Sequence, residues 1–432
     1  MIVDKEYLNN NQLVHNFIHI LIVILPFSLI TGPFIPDLSV TLICLSFIFL
    51  SFKENLKSYY LSNFSIFFII FYLGINFTSI FSVDPIESFK ISFVYFRYFV
   101  FSLAFWYLIK IQPNILKNLF KTIIFCMIIL ILDGFYQFYF GKNIFGWELI
   151  DTRISSFFKD ELILGSYLSR LFPVFFALCI LNFQIFLNKK IIILLIFLLL
   201  SSIEVLTFLS GERAAFFYIN LSAIYLIIMM EKFKLLRLFS LIFALFTIIL
   251  ITNFNPIYKE RVVDQTIRQI TSNNQTYIFS EEHNNHYLSA YKMYLDNKFT
   301  GIGPRMFRNN CHLDKYKTSF ESCTTHPHNN YVQILAESGL LGFILFIIPF
   351  FCLIYFSFKH FIFKFIQHKK GIFNDFEVCL LSAIIISLWP FSPSGSFFNN
   401  WMSIVYYFPV GMLLWQISKY KTSIKSKKNY SK

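Results

Sequence analysis

Lys190-Ile-Ile-Ile-Leu-Leu-Ile-Phe-Leu-Leu-Leu-Ser-Ser-Ile-Glu-Val-Leu-Thr-Phe-Leu209 decides the solvent of this protein. After Lys190, Glu204 is its only charge. An α-helix needs about 20 apolar residues to cross a hydrocarbon core about 30 Å thick. Runs of this kind recur on both sides along most of the 432 residues, which are 56% hydrophobic, 20% aromatic and only 14% charged. Such a composition excludes an ordinary soluble domain. The expected fold class is an all-α integral membrane protein.

Apolar runs and their breaks place about twelve spans, near residues 15–36, 38–52, 61–81, 91–111, 119–140, 162–187, 190–209, 213–230, 234–253, 331–357, 376–394 and 399–417. The first follows a polar leader containing Lys5 and lacks an Ala-x-Ala-like cleavage site, so it reads as a retained helix. The net charge of +13 sits mostly in short loops, which makes it a topology signal rather than a nucleic-acid footprint.

Those loops alternate. One set carries Lys53 and Lys57; Lys110 and Lys117; Lys189 and Lys190; Lys232, Lys234 and Arg237; and Lys359, Lys364, Lys369 and Lys370. The tail, with Lys419, Lys421, Lys425, Lys427, Lys428 and Lys432, falls on the same side, which the positive-inside rule assigns to the cytoplasm. The opposite loops, near 33–37, 82–87 and 392–400, are poorly basic. A bacterial inner-membrane protein with both termini cytoplasmic is expected. Its divisions are spans one to nine (1–253), a large periplasmic loop with short helices (254–330), spans ten to twelve (331–417) and a basic tail (418–432).

The large loop has the size to build a site. His286 to Leu295 reads as a short amphipathic helix, with Tyr287, Tyr291 and Leu295 on one face and Lys292 and Asp296 on another, ended by Asn297 and Gly301. Cys311 and Cys323 lie in this loop, while Cys44, Cys126, Cys179, Cys352 and Cys379 lie in spans. In an oxidising compartment Cys311 and Cys323 suit a disulfide. A zinc site with His312, His326 or His328 is the competing reading, but the spacing fits no usual zinc pattern.

The densest polar constellation is Thr324-Thr325-His326-Pro327-His328-Asn329-Asn330, where the loop enters the tenth span. A neutral imidazole there can take a proton from a hydroxyl, and Asn329 or Asn330 can cap the helix. The bland alternative is a polar interfacial turn. Leu209-Ser210-Gly211-Glu212-Arg213 is a tight turn at which Arg213 opens a helix, so its guanidinium joins free N–H groups that favour an anion. A pair between Arg213 and Glu212, or an interfacial anchor, competes with that reading. Arg153, Arg305 and Arg308 add further external cations suited to pyrophosphate. Arg97, Asp133, Arg170 and Glu204 sit inside spans, where a charge is paired or functional. Pairing is expected.

Three pieces together resemble the superfamily of O-antigen ligases and polysaccharide polymerases. They are Ser210-Gly-Glu-Arg213; Tyr291-Lys-Met-Tyr-Leu-Asp-Asn-Lys-Phe-Thr-Gly301-Ile-Gly303-Pro-Arg-Met-Phe307; and His326-Pro-His-Asn-Asn-Tyr-Val-Gln-Ile-Leu-Ala-Glu337-Ser-Gly339-Leu-Leu-Gly342. The resemblance implies transfer of a glycan from an undecaprenyl-pyrophosphate carrier to an acceptor hydroxyl on the periplasmic face, in lipopolysaccharide biosynthesis. It implies that His328 is the general base and that Arg213 contacts the pyrophosphate; Asn329, His326, His286, Glu337 and Gly303 are the candidate supporting residues around them. No metal or cofactor beyond the lipid-linked donor is implied. Many members carry an arginine just ahead of the amphipathic helix, where this chain has His283 and His286. A second pyrophosphate contact then falls to Arg153, Arg261, Arg305 or Arg308, with Arg308 preferred.

The motifs do not separate a ligase, whose acceptor is lipid A core, from a polymerase or a protein glycosyltransferase. A flippase or transporter is the alternative of another class. It predicts polar groups near the bilayer midplane in two matched halves, whereas here the midplane charges are scattered.

Overall fold

The computed structural model describes residues 11–182, 190–260, 264–270, 279–320 and 322–430. Lys5, Lys189, Arg261 and Lys432 lie outside these, as do the side chains from 421 onward. The longer helices are α1 (Gln12–Ser28), α2 (Phe34–Lys53), α3 (Asn63–Ile80), α4 (Pro85–Val94), α5 (Phe96–Ile111), α6 (Asn114–Phe140) and α7 (Leu164–Asn182). They continue with α8 (Lys190–Leu209), α9 (Arg213–Met229), α10 (Lys234–Phe254), α11 (Glu281–Asp296), α12 (Asn330–Phe361), α13 (Asp375–Ser387) and α14 (Asn400–Tyr430). Among the described residues there is no strand, only two isolated bridges in the α6–α7 connection. The protein is an all-α membrane protein.

Each expected span overlaps a helix, though the first ends at Ser28 rather than 36 and residues 183–187 of the sixth lie outside the described residues. Eight segments are long and apolar enough to cross a bilayer, α4 and α5 counting as one, and α1 and α9 are shorter apolar helices of 17 residues. α10 shows the inside-out logic of a lipid solvent. Phe239, Ile242, Phe243, Phe246 and Ile249 point outward, while Arg237, Ser240, Leu241, Ala244 and Ile248 are buried at helical spacing. Arg237 meets Glu204 of α8 at 2.5 Å and stacks on Phe172.

The expected pairing of the four in-span charges holds for two of them. Arg97 pairs with Asp37 at 3.1 Å, and Glu204 with Arg237. Asp133 instead accepts from Ile144 N at 2.9 Å and Ser156 Oγ at 2.6 Å, which ties α6 to the following loop. Arg170 stacks on the Tyr218 ring, 4.7 Å from its centroid, with Nε and Nη1 lacking hydrogen-bond partners. Opposite charges were available in the chain; the three-dimensional neighbourhood supplied other partners.

Hydrogen bonds sort the loops into the same two groups as the lysine pattern. At one end Glu54 meets His15, Gln112 meets His19, and Asp375 accepts from Glu231 N and Lys232 N. At the other, Val83 N donates to Ile302 O, Ile154 N to Leu209 O and Ser394 N to His328 O. The site is built at this second end.

Two expectations need correction. The eleventh span was expected over 376–394, but α13 stops at Ser387, because the Trp389-Pro390-Phe391-Ser392-Pro393 run cannot continue a helix. Residues 388–399 instead fold as a loop against α12. The amphipathic helix of the large loop begins at Glu281, five residues before His286, because Ser280 Oγ accepts from His283 N and caps it.

α12 is broken at Gly339, where φ is 60° and ψ −162°. The break exposes two carbonyls and two amides that would be orphaned in a membrane. The Gly301–Gly303 turn takes them up. Ile302 N and Gly303 N donate to Ala336 O and Glu337 O at 3.0 and 2.9 Å, and Leu340 N and Leu341 N donate to Lys298 O and Phe299 O at 2.8 and 3.2 Å. A Cβ on Gly303, whose φ is +110°, would fall 1.9 Å from Ser82 Oγ. The Gly-x-Gly sequence is therefore wedged between the α3–α4 turn and the break in α12.

Candidate active site

Four elements meet at the end of the large loop: the start of α11, the 305–308 turn, the 324–329 segment and the 388–399 loop. Asn329 is the N-cap of α12, its Oδ1 accepting from Tyr331 N at 2.9 Å and Val332 N at 3.2 Å, while its amide donates to Pro390 O at 2.8 Å. His328 precedes it with φ +53°, a left-handed conformation that costs a non-glycine residue roughly 1–2 kcal/mol. The strained turn is held from the far side, where Ser394 N donates to His328 O at 2.8 Å.

The turn delivers the His328 ring into a cluster of imidazoles. His326 lies 4.2 Å away between centroids, His283 5.3 Å and His286 5.4 Å. His283 and His286 are one turn apart on α11, so the start set by Ser280 is what aims both of them at His328.

The two loop histidines differ in how they are used. His326 has both nitrogens engaged, Nε2 with Ser394 O at 3.3 Å and Nδ1 with Thr325 Oγ1 at 3.0 Å. His328 makes no side-chain hydrogen bond among the described residues. Burial, then the neighbouring imidazoles, lower its pKa from 6.5 to about 3; burial, opposed by the Ser394 bond and assisted by Arg308, lowers that of His326 to about 4. Both are neutral at ordinary pH. His328 is therefore an imidazole with an available lone pair, and a bound anion beside it would raise its basicity.

Cations flank the cluster on two sides. Arg213 opens α9 and acts on His283, whose pKa is lowered by burial, against the opposing pull of Glu282, and then by His286 and Arg213. Arg153 acts on Arg213 in turn, and its Nε donates to Ser210 O at 3.1 Å. Glu212 does not compete for Arg213, because its carboxylate accepts from Gly165 N, Ser166 N and Ser166 Oγ at 2.6, 3.1 and 2.6 Å, capping α7. On the other side Arg308 acts on His326. Arg305 and Arg308 line a cavity of about 960 Å³ with His326 and Thr325.

Glu337 explains how the 305–308 turn is shaped. Its buried carboxylate accepts from Phe307 N at 3.0 Å and Gln333 Nε2 at 3.0 Å. Cys311 and Cys323 are disulfide-bonded, which joins this turn to the segment bearing His326 and His328. Among the described residues no group of three or more His, Cys, Asp or Glu is arranged to hold a metal ion.

The structure thus gathers His328, His326, His286, Asn329, Glu337, Gly303, Arg213, Arg153 and Arg308 at one end of the bundle. It places Arg308 beside Arg305 and His326, and Arg153 beside Arg213. Ser394 was missed by sequence reasoning, which took 392–400 as a plain short loop; the Pro-Phe-Ser-Pro-Ser-Gly run was the available signal.

Residues 194–347 match the model of a family described as O-antigen ligase. The match runs from within α8 past the break in α12, and takes in every residue of the imidazole cluster, Arg213, Arg305, Arg308 and both Gly301 and Gly339. No curated protein matches the chain.

Proposed function

We propose, on the premise that residues 194–347 form an O-antigen ligase family domain in a multi-pass membrane protein, that the chain moves a glycan from an undecaprenyl-pyrophosphate carrier to an acceptor hydroxyl. Ligase- or polymerase-type activity follows from the family. The finer reading is an O-antigen ligase acting on lipid A core at the periplasmic face of the inner membrane, with the lysine-rich loops and both termini cytoplasmic. The observation that carries it is the neutral His328 imidazole, with no side-chain hydrogen bond among the described residues, in an imidazole cluster on which Arg213 and Arg308 both act.

In the proposed reaction His328 takes the proton of the acceptor hydroxyl as the oxygen attacks the anomeric carbon from the face opposite the leaving group. The carbon–oxygen bond to pyrophosphate breaks, configuration inverts, and the lipid pyrophosphate departs with its charge met by Arg213 and by Arg153, which bonds the Ser210 turn beside it and takes the place given to Arg308 from the sequence. An anion bound nearby shifts the His328 pKa upward, the direction in which a general base gains strength. The activated donor drives the transfer, and the arginines do the neutralising, so the reading assigns no metal or nucleotide.

A polymerase would use the same groups and differ only in its acceptor. The test is the glycan profile of a strain lacking the protein, complemented with wild type, His328→Ala or Arg213→Ala at equal membrane levels. Accumulated carrier-linked glycan is expected for both variants, as long chains from a ligase or single repeats from a polymerase. Normal profiles from both variants would reject the mechanism.

A further inference from the structure

We infer that the cavity beside His326 is the acceptor's subsite, distinct from the leaving group's, and that it grips a phosphate of a lipid-anchored saccharide through Arg305 and Arg308. The inference rests on the proposed transfer reaction.

An inverting displacement puts the attacking oxygen and the leaving oxygen on opposite faces of the anomeric carbon, so the base and the leaving-group cations must lie on different sides of it. Here the cations are already divided. Arg305 and Arg308 line one cavity with His326, which neither Arg213, Arg153 nor His283 lines, whereas Arg153 donates to Ser210 O in the turn that leads into Arg213. If pyrophosphate leaves toward Arg213, the acceptor must approach past His326.

The cavity has the chemistry for such a group. A buried carboxylate, Glu337, acts on Arg308 but is hydrogen-bonded by the backbone of Arg305 and Phe307 and by Gln333 rather than by a guanidinium. Neither guanidinium has an ion-pair partner among the described residues, and Arg308 Nε is buried with no hydrogen bond at all. Arg305 is held at φ +64°, a strain that the surrounding turn must impose. Glu337 acts on Arg308, and Asp160 and Glu161 line the same cavity with Lys159, but none of these carboxylates forms an ion pair with either arginine; two adjacent guanidiniums suit a phosphate, which each can bind through two N–H groups. Beyond them the wall is aromatic, with Phe145, Trp147, Phe157 and Trp401, flat surfaces on which sugar rings stack. Trp401 is fixed by donating from Nε1 to Leu29 O at 3.0 Å. A saccharide with an anionic substituent matches this order of surfaces; an unphosphorylated protein acceptor does not.

The test uses the full chain in nanodiscs and native mass spectrometry. Its probes are phosphorylated lipid A bearing core sugars, the same lipid stripped of phosphate, and a short saccharide on undecaprenyl pyrophosphate. Arg305→Gln/Arg308→Gln should weaken the phosphorylated core lipid by about tenfold or more, the loss expected for charged hydrogen bonds. It should leave binding of the stripped lipid unchanged. Arg305→Lys/Arg308→Lys, which keeps the charge but not the paired N–H groups, should bind more weakly than wild type and more tightly than the glutamine pair, and shows that the turn still folds. If the acceptor is instead a second carrier-linked glycan, wild type should hold two carrier saccharides, one lost in the glutamine pair and the other in Arg213→Gln. The inference is overturned if wild type holds a single carrier saccharide that the glutamine pair loses and Arg213→Gln keeps, for the cavity is then the donor's; the transfer reaction itself survives that outcome. Transfer between the probes that persists undiminished in His328→Ala would instead reject the proposed reaction, and the subsite with it.

Discussion

Gly301 and Gly339 approach so closely that a Cβ on either would stand 2.6 Å from the amide nitrogen of the other. One lies in the large loop and the other in the middle of α12, and their contact registers the loop on the broken helix. The imidazole cluster, Arg305 and Arg308 all hang from this junction.

Gly339→Ala should therefore cost more than the roughly 1–2 kcal/mol of a left-handed alanine, since the methyl would also meet the Phe299 carbonyl at 2.4 Å. Gly141→Ala provides the comparison, because its φ is also positive, at 75°, but nothing lies within 4 Å of the added carbon. Thermal unfolding in detergent should show a clearly larger fall for Gly339→Ala. Equal falls would mean that the junction yields easily.

His328→Ala is expected to lower transfer by about 10²–10⁴-fold, the usual worth of a general base. His326→Ala should cost far less, because both of its nitrogens are already bonded to Ser394 and Thr325. Initial rates with a fixed donor concentration decide between them, and a greater loss for His326→Ala would exchange their roles.

Acid should loosen the histidine-bearing loop. Folding lowers the pKa of His326 from 6.5 to about 4 and that of His328 to about 3. Below pH 6.5 the unfolded segment binds protons that the folded one refuses, so this part of the stability is whole above 6.5 and is lost progressively as pH falls toward 3. Hydrogen exchange of residues 324–330 at pH 7.5 and 5 should show faster opening at the lower value (about 7.5 and 5 being chosen to bracket a free imidazole). Substituting both histidines with Gln should flatten the difference.

The Cys311–Cys323 bond closes a loop of 12 residues. Its removal in Cys311→Ser/Cys323→Ser should cost about 3 kcal/mol by the chain-entropy estimate. The bond joins the Arg308 turn to the His326 segment, so the expected signature is faster proteolysis between 308 and 328 with the membrane helices intact. Global unfolding at the same temperature as wild type, with no new cleavage, would show the bridge to be dispensable.

Glu204→Ala leaves Arg237 buried without its carboxylate, a change of the kind that costs roughly 3–5 kcal/mol. Replacing both by Met and Leu should recover most of that loss, since two apolar side chains remove the desolvation problem with the pair. Expression level and unfolding temperature report it.

Much of the candidate site was legible as residue types at the right places. Arg213 after a tight turn, His328-Asn329 before an apolar run, and Gly301 with Gly303 each carry a local conformational demand that residue order expresses. The cap of α11 was less visible, because Ser280 stands among polar residues that offered several helix starts, and its choice decides where His283 and His286 point. Ser394 was hidden inside what hydropathy takes for the end of a span. Arg170 and Asp133 found a tyrosine face and a loop hydroxyl instead of ions, which no count of charges foretells.

The sequence by itself determined the solvent, the order of the apolar helices and the two families of loops, because these depend on apolar length and on which loops hold lysine, both one-dimensional properties. Only the tertiary structure decided which imidazole keeps its nitrogens available, which arginines share a side of it, and that the carboxylate of Glu337 serves a backbone turn rather than a guanidinium. Those outcomes depend on hydrogen-bond geometry between segments far apart in the chain, and on the competition among several partners for each polar group, which is settled only when all of them are in place.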